Sequence, residues 1–357
     1  MRIAQIAPLY ESVPPALYGG TERVMAALCD GLVGLGHDVT LFAAGASATT
    51  ASLHSMGPPL RERMSRHELA EVAPHLHLRM LTDVYQRSDD FDVIHSHVDV
   101  WTLPFAKRSA TPSVITMHGR LDTPYVQATV PLYPDVPLVS VSDSQRAPLA
   151  HRAVRWAGTV YNGLDLTAYG QPTYRQGEHL AFVGRISPEK GPTLAIEVAR
   201  RTGRRLCIGA KVDPVDVDYF EAEVEPLLGD DVSFVGEVDE RAKPAFFGEA
   251  AATLFPSDWP EPFGLVMIES LAAGTPVIAL RRGAVPEVLV DGVTGFICDD
   301  VDEMVAAVDR LDEIDPAACR ARARRFGAER MCEAYEAVYR SLVASSKVAA
   351  APHLAAR

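Results

Sequence analysis

Short apolar runs alternate with stretches of helical period along nearly the whole chain, and this alternation restricts the fold more than any other feature. Runs rich in Val, Ile, Leu and Phe fall at 2–7, 38–43, 91–95, 113–117, 138–141 and 159–161, and again at 180–183, 205–208, 232–235, 252–255, 276–279 and 295–297. Runs that short suit buried strands. Between them helical stripes recur, as in Leu194, Ala195, Val198 and Ala199. Strands joined by helices run parallel, so the pattern predicts an α/β fold of two doubly wound, Rossmann-like units. At 357 residues the chain also exceeds one ordinary core.

The stretch 162–178 carries Gly, Pro and polar residues without a clear period, and reads as the linker. The expected division is a first domain at 1–165, a linker at 166–178, a second domain at 179–326 and a terminal helix at 327–345. That helix shows Met331, Tyr335, Val338 and Leu342 on one face, so it has to pack on something, either its own domain or the first. The Ala-rich tail from about Ser345 is expected to fray.

Charge and cysteine usage exclude several classes. A net charge of −13 argues against nucleic-acid partners, because phosphate binding needs basic surface. The local run Arg320, Arg322, Arg324, Arg325 and Arg330 spreads around a helix axis and reads as a solvated face, leaving at most a weak peripheral membrane contact. No apolar run approaches the ~18–20 residues of a membrane span, and the first residues lack the features of a secretory leader. Cys29, Cys207, Cys298, Cys319 and Cys332 are odd in number and form no C-x-x-C pair. They suit the reduced core of a cytoplasmic protein.

Ligands of open parallel sheets bind beyond the carboxyl ends of the strands, and two such sheets facing each other would form one cleft. Four loops at such ends stand out. YGGTE places Gly19 and Gly20 before a helix, where bare backbone can approach a phosphate, or where a plain glycine turn is made. GRISPEK puts Arg185 and Lys190 on one short turn, a planar fork and a mobile point charge suited to a diphosphate, or a loop paired to Glu189. WPEPFGLVMIES starts a helix near Gly264, whose free amides at Gly264, Leu265 and Val266 favour an anion. Glu261 precedes that helix and Glu269 lies inside it among Met267, Ile268, Leu271 and Ala272. A carboxylate buried there requires donors, which a ribose diol could supply; the other reading is a helix N-terminal acid at Glu261 and a solvent-facing Glu269.

The fourth is the pair VIHSHVD and ITMHGR, with His95, His97 and His118 expected on the cleft side. His118, before Gly119, reads as a hydrogen-bonding group or a satisfied core histidine; H-x-H without a third ligand is weak evidence for zinc. Asp216-x-Asp218 echoes a manganese motif, but it falls at a helix start, where acids are common. Gly31-x-x-Gly34-x-Gly36 echoes a dinucleotide fingerprint in the wrong order, helix before strand. No metal site and no cofactor are expected.

FVGRISPEKG, FVGEVDE, EPFGLVMIESLAAGTPVIA, PEVLVDGVTGFI, NGLD, GGTE and MHG together resemble glycosyltransferase family 4, retaining, metal-independent sugar transferases of the GT-B fold. The resemblance implies that Arg185 and Lys190 bind the donor diphosphate and Glu269 the ribose. It implies that Glu261, with the amides of Phe263, Gly264, Leu265 and Val266, contacts the transferred sugar and phosphate, and that His118 reaches that sugar from the first domain. Backbone near Val238 would meet the base, with Lys243 nearby, and Gly19 and Gly20 would lie against the phosphates or the acceptor. The terminal helix would cross back to the first domain. The donor would be a nucleotide sugar, UDP-linked before GDP-linked on family frequency. The acceptor, a sugar, lipid or small-molecule aglycone, would sit on loops 9–18, 44–66 and 121–133. Alternatives of the same architecture are a sugar-nucleotide epimerase, a phosphorylase, or a regulator that binds the nucleotide without turnover.

Overall fold

The computed structural model describes residues 1–169 and 177–350. Residues 170–176 of the expected linker and 351–357 of the tail lie outside the described residues. The chain divides into two compact units, Met1–Leu164 joined by the C-terminal helix, and Asp165–Gly327.

The first unit is built on seven parallel strands: β1 (Arg2–Ile6), β2 (Asp38–Ala43), β3 (Ser52–Ser55), β4 (Val93–Ser96), β5 (Ser113–Met117), β6 (Pro137–Ser140) and β7 (Arg155–Thr159). Their order is β3-β2-β1-β4-β5-β6-β7, with the reversal between β1 and β4. Helix α1 (Gly20–Gly34) follows β1 and buries Val24, Met25, Leu28, Cys29 and Leu32, one face of a 3.6 period. Helix α2 (Arg66–Gln86) starts at a capping box, in which Ser65 and Glu68 satisfy each other's backbone N–H. The second unit holds six parallel strands, β8 (Leu180–Arg185), β9 (Leu206–Lys211), β10 (Val232–Gly236), β11 (Ala252–Phe255), β12 (Val277–Leu280) and β13 (Gly295–Cys298), in the order β10-β9-β8-β11-β12-β13. Helices α3 (Pro192–Thr202) and α4 (Leu265–Ala273) follow β8 and β11. Both sheets are doubly wound, as the alternation predicts.

Strand β3 is absent from the expected set. Its sequence SLHS is polar and its residues mostly exposed at the sheet edge, so no apolar run marks it. Strand β7, also an edge, shares only Thr159 with the expected 159–161.

Helix α5 (Ala328–Ala350) packs in the first unit against α1 and β4, and runs past the expected end at 345. Its buried face is Met331, Cys332, Tyr335, Tyr339 and Leu342; Tyr339 takes the place expected for Val338, which is half-exposed. A Cβ at Gly31 would stand 2.3 Å from Cys332 Sγ. Gly31 therefore serves the close approach of α1 and α5, which accounts for the false dinucleotide echo. The basic run is not one solvated face either. Arg322 donates to the carbonyls of Glu287 and Val288, and Arg320 donates at 3.5 Å to Ala273, the last residue of α4, while Arg324, Arg325 and Arg330 stay exposed. No described helix is long and apolar enough to cross a membrane.

Candidate active site

Strand order in the second unit reverses between β8 and β11, and the expected donor residues gather at the carboxyl ends of these two strands and their neighbours. Arg185 ends β8. The following turn carries Lys190 and then Gly191, whose φ of 69° is left-handed; a Cβ there would stand 2.4 Å from the Pro256 carbonyl. Glycine thus lets the β8 turn lie against the segment leaving β11. The two are laced together, since the Glu189 carbonyl accepts from the Asp258 amide at 3.1 Å and from Ser257 Oγ at 3.2 Å.

The two cations do not wait for an anion. Arg185 pairs with Glu189 and, through Nε at 3.2 Å, with Asp216. Lys190 pairs with Glu261, and its ammonium lies 4.8 Å from the centre of the Trp259 ring. Trp259 donates its indole N–H to Glu261 Oε2 at 2.8 Å. Asp216 is thereby a partner of Arg185, while Asp218 is exposed, and among the described residues no cluster of three His, Cys, Asp or Glu could hold a metal.

Helix α4 starts at Gly264, whose φ of 85° only glycine adopts readily; a Cβ would also meet Met267 Cε at 2.6 Å. Helix geometry leaves the first amides of α4 without intrahelical acceptors, and Gly264, Leu265 and Val266 are half-exposed, whereas Phe263 is buried against Phe326. Gly283, with φ of 54°, would put a Cβ 2.3 Å from the backbone N and O of Glu261, so the Glu261 segment is clamped from behind.

Glu269 is 1% exposed and accepts a hydrogen bond from the Tyr169 hydroxyl at 2.8 Å. Lys243 lies 3.3 Å from the same oxygen and 2.5 Å from Glu240. The donors that burial demands are therefore protein groups, and Lys243, expected beside a base, sits on Glu269. Val238 packs over Gly209 of β9, where a Cβ would come within 2.5 Å of its Cγ2. Tyr169 and Trp259 were not among the expected site residues, and of the two only Trp259, just before Pro260–Glu261, has a local signal. The pairing of Arg185 to Glu189 is the one the loop reading allowed for, and Asp216 serves as a second anion for Arg185.

In the first unit Gly19 is the N-cap of α1, and a Cβ there would stand 2.9 Å from Pro15 and 3.0 Å from Glu22. Its smallness is taken up by local packing, and Gly20 opens the helix half-exposed. The three histidines do not act alike. His95 is fully buried, with Nδ1 2.6 Å from the Tyr339 hydroxyl and Nε2 2.7 Å from Thr116 Oγ1, so it does not reach a ligand site. His97 is 2% exposed, with Nε2 3.0 Å from Gln5 and Nδ1 2.7 Å from His118 Nε2. All four ring nitrogens of His95 and His97 are engaged, which leaves none for a metal. His118 is half-buried.

Burial pushes His95 and His97 well below the usual histidine range and His118 down to about 4. The unfolded chain would protonate these rings near pH 6.5, while the folded chain keeps them neutral to lower pH. Between those values the unfolded state binds more protons, so stability rises with pH and is lost on acidification. Denaturant titrations from pH 7 to 5 should show falling stability, with these three rings contributing a slope of up to about 4 kcal/mol per pH unit. A flat profile over that range would contradict the neutral buried rings.

Residues 171–326 match a family model described as glycosyl transferases group 1, and residues 18–168 match glycosyltransferase family 4. The chain is 30% identical to the glycogen synthase of Mycobacterium tuberculosis, over 91% of this chain and 89% of that one. It is similar to the crystal structure of AviGT4, a glycosyltransferase involved in avilamycin A biosynthesis, at 26% identity and a TM-score of 0.71, covering 96% and 98% of the two chains. Anabaena HepE, crystallised in complex with UDP and glucose, superposes with a TM-score of 0.73 over 96% of this chain and all of that one (100%), at 19% identity, a likeness of fold. Two models that meet near the unit boundary, and a relative matched along most of its length, lead to one conclusion: the chain belongs to glycosyltransferase family 4 and is a glycosyltransferase of the GT-B fold.

Proposed function

We propose that this glycosyltransferase moves a hexose from a nucleoside diphosphate sugar to an acceptor hydroxyl, with retention at the anomeric carbon, without a divalent ion, and in the cytoplasm. The observation that carries this reading is the placement of Arg185, Lys190 and the free amides of α4 on adjacent strand ends of one sheet. Transfer breaks the bond between the anomeric carbon and the phosphate oxygen and leaves negative charge on the departing diphosphate. Fixed cations and helix amides aimed there stabilise that charge more than the ground state. The diphosphate would displace Glu189 and Asp216 from Arg185 and Glu261 from Lys190, one set of anions replacing another. Glu261 would then be free to accept from sugar hydroxyls, with the amides of Phe263, Gly264, Leu265 and Val266 on the sugar and phosphate.

Glu269 would hold the ribose and backbone near Val238 the base. His118 would contact the transferred sugar, and Gly19 and Gly20 the phosphates or the acceptor. The acceptor hydroxyl would attack from the face the phosphate leaves, and a phosphate oxygen would take its proton. UDP is favoured over GDP, a choice the UDP complex of HepE supports. The acceptor, a sugar, lipid or small-molecule aglycone, is assigned to loops 9–18, 44–66 and 121–133.

Thermal stabilisation by a panel of UDP- and GDP-sugars tests the donor. At 100 times Kd a ligand specific for the folded state adds about 2.7 kcal/mol. A UDP-sugar should give the largest shift. Turnover on that donor should survive a strong chelator, and the product should keep the donor's anomeric configuration by NMR. Activity lost to chelator and restored by manganese would return attention to Asp216 and Asp218. No stabilisation by any member would overturn the donor reading.

A further inference from the structure

The residues behind His118 form one continuous chain of hydrogen bonds, and its proton count fixes which side of the His118 ring carries hydrogen. The chain begins at the Tyr335 hydroxyl, 2.9 Å from Thr116 Oγ1, which is 2.7 Å from His95 Nε2. His95 Nδ1 is 2.6 Å from the Tyr339 hydroxyl, which is 3.0 Å from the Gln5 carboxamide. The other end of that carboxamide is 3.0 Å from His97 Nε2, and His97 Nδ1 is 2.7 Å from His118 Nε2. Tyr335, Thr116, His95, Tyr339 and Gln5 are 0% exposed and His97 is 2% exposed, while His118 is half-buried. Among the described residues His118 Nδ1 has no hydrogen-bond partner.

Burial keeps the three imidazoles neutral near pH 7, so each carries one N–H. Each hydroxyl carries one proton. Gln5 meets its neighbours with one N–H end and one oxygen end. Seven members therefore bring seven protons to six bonds, and one proton is left over. Left on Tyr335, Thr116 or Tyr339, it would be a buried O–H with no acceptor, because among the described residues these hydroxyls meet only their neighbours in the chain. Such a stranded donor disfavours its arrangement by about tenfold or more. It cannot be left on His95, His97 or Gln5, which have one acceptor each within the chain. The second amide hydrogen of Gln5 is spare in either direction and does not choose between them.

We propose that this chain holds His118 as the Nδ1–H tautomer, so that the ring presents a hydrogen-bond donor, and its ligand there is an acceptor oxygen. Every bond then runs from Tyr335 toward His118. As placed, Gln5 offers Nε2 to Tyr339 and Oε1 to His97; its two ends have the same shape, and the proton count selects the half-turned orientation. Gln5, His97 and the tyrosines of α5 are positioning residues that act through His118. The ligand follows from the proposed function, on which this step rests: a sugar hydroxyl or a phosphate oxygen, received as an acceptor.

The test needs no nucleotide sugar, so its outcome is independent of that function. Long-range proton–nitrogen correlation spectra of the ligand-free full chain near pH 7.5, with His118 assigned by loss of its signals in His118→Asn, should show His118 protonated at Nδ1. His95 and His97 should show the same tautomer. His118 protonated at Nε2 in the unsubstituted chain would overturn the inference. Gln5→Glu adds an acceptor and removes a proton, so His97 turns its N–H toward the new carboxylate and accepts from His118. At pH 8.5 that variant should switch His118 to the Nε2–H form; an unchanged tautomer there would refute control by Gln5. Should the variant fail to fold, the spectrum of the unsubstituted chain decides alone.

Discussion

Lys190→Ala is expected to lower turnover by about 10²-fold or more, the loss of roughly 3 kcal/mol of transition-state stabilisation. Its side chain is 16% exposed and paired to Glu261, so its charge acts in a partly dried site. The effect on folding should be about 1–3 kcal/mol, the loss of a part-buried pair, softened because Glu261 keeps the Trp259 N–H. A rival account is that Lys190 merely neutralises Glu261. The double variant Lys190→Ala with Glu261→Asp keeps the negative charge and cannot separate the two, whereas Lys190→Ala with Glu261→Gln can. The reference is Glu261→Gln alone, since Glu261 itself contacts the sugar in this reading. If Lys190 only cancels a charge, adding Lys190→Ala to Glu261→Gln costs no further turnover; if it stabilises the departing diphosphate, turnover falls by a further factor of about 10². Arg185→Ala should show a loss of the same order, with Glu189 and Asp216 left facing each other. Near-normal turnover in both single variants would sink the electrostatic account.

The fold was legible because burial on both faces of a parallel strand writes a continuous apolar run, and eleven of the thirteen described strands carry one. The exceptions, β3 and β7, are edge strands held by pairing to β2 and β6 through backbone groups that leave no trace in composition. In α5 the stripes through Val338 and Tyr339 are nearly equivalent on the helix surface. The choice falls to Tyr339 because Gln5 and His95 in the sheet offer its hydroxyl partners, which only the tertiary arrangement supplies.

The candidate site was legible in its cations, its helix start and the counter-ion Glu189, which are local, and illegible in the pairings of Asp216 and Glu261, which are not. Asp216 reaches Arg185 across the β9 crossover, and Glu261 reaches Lys190 from the far side of the strand reversal. Neither pairing can be read from spacing. His95 misled for a related reason. It shares a strand face with His97, and period 2 alone does not tell a residue at the strand end from one beneath a helix. Only the packing of α5 decides that His95 is interior.

Glu269→Ala should both destabilise the second unit and weaken nucleotide binding, and the two effects can be pulled apart. Removing a 1% exposed carboxylate leaves Lys243, 11% exposed at its side chain, without one of its anions. Breaking a buried pair in this way costs about 3 kcal/mol, the low end of the usual range because Glu240 remains 2.5 Å from the ammonium. Tyr169→Phe, which removes only the hydroxyl donor, should cost about 1 kcal/mol. Pairing Glu269→Ala with Lys243→Met removes both buried charges, and stability should largely return. If the carboxylate also holds the ribose, nucleotide affinity measured by calorimetry should not return with it, staying about tenfold or more below that of Lys243→Met alone. Affinity that recovers together with stability would mean that Glu269 serves its protein partners, Lys243 and Tyr169 among them, and that the ribose is held elsewhere.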